Sequence, residues 1–188
     1  MNLKEKKILV TGGAGFIGSR LSRYLLNEGT KVLIVDNLFV GKEKLIPEGA
    51  LFKRMDIRSE EMKSIVKKFE PDILVHLAAL HYIPYCNANP EETFNVNVMG
   101  TRNLLEVAKD FKFFFASSAA VYPPFGGILS EDLAGPIDIY GKTKLIGEDL
   151  VKLHSGISVI ARFFNVYGLN DTNSHLIPEI VTQVREGK

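Results

Sequence analysis

The sequence predicts an α/β protein built on a doubly wound parallel sheet with helices on both faces. Short apolar runs alternate along the chain with longer segments of helical periodicity. The apolar runs lack polar alternation, which is typical of strands that helices cover on both sides. Several runs end in small or polar residues, at the strand ends where such folds bind their ligands. We therefore expect a ligand site along one edge of the sheet.

The first half of the chain supplies four predicted strands and two predicted helices. The strands are expected at residues 7–11, 31–36, 51–55 and 73–76. Apolar residues recur on one side of residues 15–27, which predicts a helix directly after the first strand. A second helix is expected at residues 59–69, because Ser59 suits an N-cap and Pro71 breaks the pattern soon afterwards.

The second half of the chain supplies two more strands and three more helices. The strands are expected at residues 112–116 and 157–161, and the helices at residues 90–109, 140–154 and 177–186. Pro90 suits the first position of its helix, and Gly187 suits the end of the last one. Tyr82, Tyr85 and Cys86 follow the fourth strand in a predicted loop, which either faces a substrate or simply packs against the fold.

Composition and charge exclude several classes of protein. The 188 residues carry 23 Lys and Arg against 22 Asp and Glu, a net charge of +1, which gives no basic surface for nucleic acid. With 46% hydrophobic and 24% charged residues, the chain is expected to fold. No apolar stretch approaches the ~18 residues of a membrane helix, or the ~7-residue apolar core of a signal peptide near the start. We expect a cytoplasmic protein with neither a nucleic-acid nor a membrane partner.

The cysteine and the histidines give no sign of a disulfide or a metal site. Cys86 is the one cysteine in the sequence, which fits a reducing compartment and an inert thiol. The histidines lack metal-ligand spacing, so structural or surface roles are expected for them. These histidines are His76, His81, His154 and His175.

A glycine-rich turn joins the first predicted strand to the first predicted helix. Within residues 11–18, Gly13, Gly15 and Gly18 form a GxGxxG pattern, and Gly12 adds a second spacing. Glycines allow a tight turn and a close approach of the backbone to a pyrophosphate, which the N–H groups at the helix start then bind. The motif alone is weak, but its strand–turn–helix context supports a dinucleotide site.

Asp36 ends the second predicted strand, close to the spacing of about 20 residues expected of the acid that binds an adenosine ribose. Its carboxylate would accept hydrogen bonds from the ribose hydroxyls and repel a 2′-phosphate. Asn37 stands where an NADP site often carries an arginine, and the nearest following base is Lys42. NAD is therefore favoured over NADP. The alternative is that Asp36 only ends a strand and starts a turn.

Tyr140 is the only one of the six tyrosines with a lysine, Lys144, four residues later. That spacing puts both side chains on one face of a helix. A nearby ammonium favours the phenolate and lowers the pKa of the phenol, so the tyrosine could move a proton to or from an alcohol. Alone, such a pair is more often a solvated helix face. Ser117 and Ser118 alter this balance, because they end the preceding strand on the ligand edge and could bond the same alcohol oxygen.

Matching motifs along almost the whole chain resemble those of a known protein family. They lie at residues 11–18, 36–37, 56–57, 76–79, 95–101, 117–122, 140–144 and 162–168. In this order they are similar to the extended short-chain dehydrogenase/reductases of the NAD-dependent epimerase/dehydratase family. An ordered set of this kind is far more specific than any one motif.

The resemblance implies roles for the matched residues. NAD would be held by Gly12, Gly15, Phe16, Ile17, Gly18, Asp36, Asn37, Asp56, Ile57, Leu77, Ala78, Ala79, Asn97, Tyr140 and Lys144. The catalytic set would be Ser118, Tyr140 and Lys144, with Lys144 also bonding the nicotinamide ribose. The substrate would contact Ser118, Tyr140, Asn165, His175 and Leu176.

Ala119 and Ala120 favour an epimerase within this family. Dehydratases of the family carry an Asp-Glu pair at these positions, and alanines cannot transfer protons. The resemblance therefore implies a nucleotide-sugar 4-epimerase, with a UDP-sugar as substrate, that transiently oxidises a sugar hydroxyl. Another nucleotide-sugar reductase or dehydratase, or a non-catalytic NAD-binding module, is the alternative.

The resemblance also implies a domain organisation. Residues 1–168 would form a Rossmann-type NAD-binding domain, and residues 169–188 the start of a substrate-binding part. The rest of that part, a smaller C-terminal domain in the family, is expected to be absent from this chain. A homodimer through residues 90–109 and 140–154 is also expected.

Overall fold

Parallel strands form the sheet that the sequence predicts, in a computed structural model that describes residues 3–109, 111–124, 126–168, 171 and 176–187. Within these residues there are six strands, β1 Lys7–Thr11, β2 Lys31–Asp36, β3 Leu51–Arg54, β4 Ile73–His76, β5 Lys112–Ser118 and β6 Ser158–Phe163. Their order is β3-β2-β1-β4-β5-β6, and every neighbouring pair is parallel. From β1 the chain first adds strands on one side of the sheet, β2 and β3, and then on the other side, beginning with β4. Ligands bind at such a switch point, which here lies between β1 and β4.

Helices connect the strands. They are α1 Phe16–Asn27, α2 Glu61–Phe69, α3 Ile83–Ala88, α4 Pro90–Phe94, α5 Gly100–Val107, α6 Ile139–Lys152 and α7 Leu176–Arg185. Two short 3₁₀ turns, Glu43–Leu45 and Ala119–Val121, and one π-helical turn, Asn95–Met99, complete the regular structure of the described residues. None of these helices is long and apolar enough to cross a lipid bilayer.

The two faces of the sheet bury separate apolar clusters. Alternate residues of a strand point to opposite faces, so Leu9 and Ile8 of β1 belong to different clusters. The cluster around Leu9 includes Met62 of α2, Leu104 of α5 and Val151 of α6. The cluster around Ile8 packs against the leucines of α1. The prediction of a doubly wound sheet with helices on both faces is confirmed.

The predicted uninterrupted helix at residues 90–109 is wrong in its middle. The π-helical turn Asn95–Met99 separates α4 from α5. Asn97 lies in this turn with only 2% of its surface exposed, and its side-chain amide is hydrogen-bonded on both sides. A buried amide with its partners satisfied stabilises a local departure from α-helical geometry that periodicity alone does not reveal.

Other boundaries differ by a few residues. The second helix begins at Glu61 rather than Ser59, although the Ser59 hydroxyl still accepts a hydrogen bond from the Glu61 N–H. Both β5 and β6 run two residues further than predicted, because Ser118 pairs with Phe163 in the sheet. The loop predicted around Cys86 is wrong, since α3 occupies this segment.

Candidate functional site

A cleft of about 860 Å³ runs along the carboxyl ends of the strands. Most of the site residues that the sequence predicts lie in its lining. They are Gly12, Gly15, Phe16, Ile17, Gly18, Asp36, Asn37, Asp56, Ile57, Leu77, Ala78, Ala79, Ser118, Tyr140, Lys144 and Asn165. Asn97 is not part of the lining. His175 and the side chain of Leu176 lie outside the described residues.

The glycine turn fits a pyrophosphate because side chains are excluded from it. Gly12 has a φ of +73°, and a Cβ there would lie 2.7 Å from the Ala78 nitrogen. A Cβ on Gly18 would collide with the Gly12 carbonyl. Gly15 is the N-cap of α1, so the N–H groups of the first helical turn have no intrahelical partner. The turn therefore offers bare backbone donors to an anion.

Asp36 lies at the end of β2 with its carboxylate buried beside the glycine turn. One oxygen accepts from the Leu38 N–H at 2.8 Å and the other from the Ala14 N–H at 3.0 Å. Burial raises the pKa of this carboxyl, and the two backbone hydrogen bonds oppose the shift. Each carboxylate oxygen retains a lone pair for a ribose hydroxyl.

Asp56 lines the same end of the cleft in a bidentate pair with Arg58. The guanidinium donates to the two carboxylate oxygens at 2.8 and 2.7 Å. This pairing holds the pKa of Asp56 below its ordinary value. Asn37 donates to Asp56 at 3.3 Å, which links the ends of β2 and β3. Sequence reasoning missed Arg58, whose signal was its place directly after the 56–57 motif.

Lys144 carries a buried amine in the cleft lining. Only 3% of its surface is exposed, and its ammonium lies 4.3 Å from the centroid of the Phe115 ring. Burial lowers the pKa of Lys144 to about 7, and the Glu148 carboxylate one turn along α6 partly opposes this shift. The ring of Phe115 stabilises the charge through a cation–π contact.

Tyr140 lies one helical turn before Lys144 on α6, but its electrostatics differ from the sequence-based expectation. Burial raises the pKa of the Tyr140 phenol to about 12, and the Ser118 hydroxyl opposes this shift. The pKa of this phenol thus lies above its ordinary value and not below it as expected from the sequence, because removal of the phenol from water outweighs the hydrogen bond with Ser118.

The two serines at the end of β5 have different partners. Ser117 is buried and donates its hydroxyl proton to Glu148. The Ser118 oxygen accepts from the Ala120 N–H at 3.1 Å, and the Ser118 hydroxyl also hydrogen-bonds the Tyr140 phenol beside the cleft. These contacts support Ser118, rather than Ser117, as the serine that could bond a substrate oxygen.

Asn97 supports the cleft from behind. Its amide accepts from the Leu80 N–H and donates to the Leu80 carbonyl, both at 2.8 Å. The same amide nitrogen donates to the Thr143 hydroxyl at 3.0 Å, one residue before Lys144. The protein's own groups thus occupy this amide, and the assignment of Asn97 to the NAD site stays a prediction.

His76 lies in a buried hydrogen-bond chain beneath the cleft. Thr11 contacts its Nδ1 at 2.8 Å, and Thr101 contacts its Nε2 at 2.9 Å. Because the Thr101 hydroxyl donates to the Asn97 carbonyl at 2.6 Å, Nε2 carries the proton and Nδ1 accepts from Thr11. Burial, and then the charge of Lys144, holds the pKa of His76 well below its ordinary value. The neutral ring thus ties the glycine turn to the π-helical turn.

The segment after β4 contributes residues both to the cleft lining and to the core. Tyr82 lines the cleft, whereas Cys86 is fully buried. Tyr85 donates its hydroxyl proton to Glu92 at 2.6 Å. Of the described residues, no three His, Cys, Asp or Glu side chains are grouped so that they could hold a metal ion.

Comparisons with known proteins agree with this geometry. A family model described as the NAD dependent epimerase/dehydratase family matches residues 8–188. The UDP-glucose 4-epimerase of Streptomyces lividans is 34% identical over 200 aligned positions, which cover 97% of this chain and 60% of that protein.

Two solved structures are similar to this chain over most of its length. The UDP-glucose 4-epimerase of Thermus thermophilus in complex with NAD has a TM-score of 0.89 and 31% identity, covering 96% of this chain and 63% of that one. The UDP-glucose 4-epimerase of Thermotoga maritima with UDP-glucose has a TM-score of 0.82 and 32% identity, covering 87% of this chain and 57% of that one. The chain thus spans about three fifths of the length of these relatives.

Proposed function

Because the chain belongs to the NAD dependent epimerase/dehydratase family, we propose that its cleft binds NAD and epimerises a nucleotide sugar by transient oxidation of a sugar hydroxyl. One observation carries this proposal. Ser118, Tyr140 and Lys144 line the same cleft as the glycine turn and Asp36. Residues fit for proton transfer thus border a site fit for a dinucleotide.

Hydrogen-bond donors at one place in the cleft and hydrogen-bond acceptors at another support the proposed NAD site. The bare backbone of Gly12 to Gly18 suits the pyrophosphate, and Asp36 suits the hydroxyls of the adenosine ribose. NAD would supply the reversible oxidant for the sugar carbon. Burial raises the pKa of the Tyr140 phenol to about 12. The positive charge of the nicotinamide ring would oppose this shift, because it favours the phenolate.

Side chains of the protein would then transfer the proton of the sugar hydroxyl. Tyr140 removes the proton from the sugar hydroxyl and returns it at the end of the cycle. Ser118 donates a hydrogen bond to the same oxygen. Lys144 orients the nicotinamide ribose and, when protonated, stabilises the phenolate. Asn165 in the cleft lining, with His175 and Leu176, would contact the substrate.

The absence of an acid–base pair after Ser118 disfavours dehydration. Ala119 and Ala120 line the cleft there and cannot transfer protons. A UDP-sugar is the first substrate to test, because the relatives named above are UDP-glucose 4-epimerases. Another nucleotide-sugar reductase or dehydratase, or a non-catalytic NAD-binding module, is the competing proposal.

Turnover of a panel of nucleotide sugars in the presence of NAD⁺ tests the proposed function. Interconversion of UDP-glucose and UDP-galactose, followed by NMR, is the expected activity. Tyr140→Phe should lower turnover by ~10²–10⁴ while NAD affinity is retained, because only the acid–base group is lost. Tyr24→Phe, at an exposed tyrosine outside the cleft, is the matched control. Near-normal turnover by Tyr140→Phe would assign the proton to another residue.

We also propose that the chain pairs as a homodimer through α4, α5 and α6. The support is a set of exposed apolar side chains on and between these helices, Phe94, Met99 and Ile146. Met99→Glu should convert a dimer to a monomer in analytical ultracentrifugation. A monomer at all concentrations in the unchanged protein would exclude this pairing.

A further inference from the structure

The segment at residues 119–138 joins the two proposed proton-handling side chains. It leaves β5 directly after Ser118 and enters α6 directly before Tyr140. Its two ends line the cleft through Tyr122, Pro123, Pro124, Ile137 and Asp138. A long connection with little regular structure is a common place for a functional wall or lid. We name residues 119–138 the wall segment.

The middle of the wall segment is held by one side chain from β6. The Arg162 Nη1 donates to the Glu131 carbonyl at 2.9 Å and to the Leu133 carbonyl at 3.0 Å. Its guanidinium carbon also lies 4.7 Å from the centroid of the Tyr122 ring. Arg162 therefore contacts both the middle and the cleft-lining start of the segment.

The other side of the same guanidinium is fixed to α6. Arg162 Nε and Nη2 donate to the two carboxylate oxygens of Glu148, each at 2.8 Å. The Glu148 side chain is only 1% exposed and also accepts from Ser117. Glu148 thus joins β5, α6 and β6 at one point, one turn beyond Lys144.

We propose that Arg162 is a positioning residue that fixes the wall segment over the substrate end of the cleft, and so sets the substrate affinity of the site. The identity of the substrate in this proposal rests on the proposed function. The role of Arg162 in holding the wall segment does not depend on it. A planar fork is needed to bond one carboxylate and two carbonyls at once, and a lysine ammonium cannot reproduce that geometry.

Hydrogen exchange of the NAD-loaded protein tests the hold directly. Arg162→Lys should speed exchange of the amides at residues 126–138 by about tenfold or more, while β1, α1 and β2 change by less than about twofold. Arg102→Lys, which alters only a surface ion pair with Glu106, is the matched control. Unchanged exchange in the wall segment, or an equal rise throughout the protein, would overturn the proposal.

Calorimetric titration then tests the effect on ligands. Arg162→Lys should weaken UDP-glucose binding to the NAD-saturated protein by about tenfold, and change NAD affinity by less than about twofold. A purely structural role would weaken both ligands together, and that result would overturn the positioning role. If the unchanged protein binds NAD but no UDP-glucose, the proposed substrate is wrong, whereas hydrogen exchange still decides whether Arg162 holds the wall segment.

A second variant keeps the test independent of stability. Arg162→Lys leaves the buried Glu148 with a poorer partner, which can unfold a protein. The double variant Arg162→Gln with Glu148→Gln removes both charges and leaves no unpaired carboxylate. It should give the same faster exchange at residues 126–138.

Discussion

At the scale of single residues, burial governs the ionisable groups of the cleft. The pKa of the Lys144 ammonium falls to about 7, while that of the Tyr140 phenol rises to about 12. Both shifts favour the neutral form, so the two side chains are not an ion pair in the protein alone. Residue types and spacing located this pair, but they could not give the direction of the tyrosine shift, which depends on how much water reaches the phenol.

The lysine shift predicts how stability changes with pH. The pKa of Lys144 is about 7 in the folded protein against an ordinary 10.5, so the unfolded chain binds more protons between these values. The destabilisation from burying this amine is complete below about pH 7 and disappears as the pH rises past the ordinary pKa. Lys144→Met should therefore be more stable than the unchanged protein at neutral pH, by a margin that shrinks as the pH rises.

Urea unfolding from about pH 7 to about pH 9.5 measures that margin. Lys152→Met, at a half-exposed lysine on the same helix, serves as the control for the loss of a lysine side chain from α6. A difference between Lys144→Met and the unchanged protein that stays constant with pH would exclude the shift.

Asp36 predicts the choice of cofactor. A 2′-phosphate would meet this buried carboxylate at close range, so NAD should bind at least about tenfold more tightly than NADP. Asp36→Asn should narrow the gap by weakening NAD and relieving the repulsion of NADP. It is preferable to alanine because it retains an oxygen for the Ala14 or Leu38 N–H.

Calorimetric titration of both cofactors decides the matter. Asp149→Asn, at an exposed position outside the cleft, should leave both affinities unchanged. Equal affinities of the unchanged protein for NAD and NADP would be incompatible with this role of Asp36.

At the scale of elements, the sequence predicted the strands and most helices because their apolar patterns repeat locally. The π-helical turn escaped prediction, since it depends on a contact between Asn97 and Leu80 that no local pattern records. Helix α3 did carry a signal, Pro84 in its first turn, but it is too short for periodicity to reveal. Arg162 also stood in a matched motif, yet its four acceptors come from distant parts of the chain.

The π-helical turn gives a prediction for Asn97. Asn97→Ala would leave the buried N–H and carbonyl of Leu80 without their partner, and free the Thr143 hydroxyl. The free energy of unfolding should fall by roughly 2–4 kcal/mol, the cost expected for several lost buried hydrogen bonds. Asn87→Ala, at an exposed asparagine with a single hydrogen bond to the Ile139 N–H, should cost far less in the same urea titration. Equal costs for the two variants would show that the buried contacts add little stability.

At the scale of the whole molecule, the exposed apolar surface overlaps one side of the cleft, because Phe164 and Tyr167 belong to both. The glycine turn, Asp36 and the proton-handling residues all lie along the carboxyl ends of the strands. Apolar side chains are exposed on β6, on the residues after it and on α7. They include Val159, Phe164, Tyr167, Ile180 and Val184. Exposed apolar groups of this extent favour association.

The protein is therefore expected to form species larger than a dimer. Val184→Glu should reduce those species in light scattering, because it places a charge on the apolar surface of α7. Ile128→Glu, at an exposed position outside β6 and α7, should not. A clean monomer at every concentration would contradict this expectation.

A crystal structure of the chain with NAD⁺ would show whether the cleft holds this cofactor in the proposed orientation. We expect the adenosine ribose on Asp36, the pyrophosphate on the glycine turn, and the nicotinamide beside Tyr140. We also expect the Lys144 ammonium within about 3 Å of a nicotinamide ribose hydroxyl. A cofactor bound in the reverse direction, or with its nicotinamide away from Tyr140 and Lys144, would rule out the proposed site.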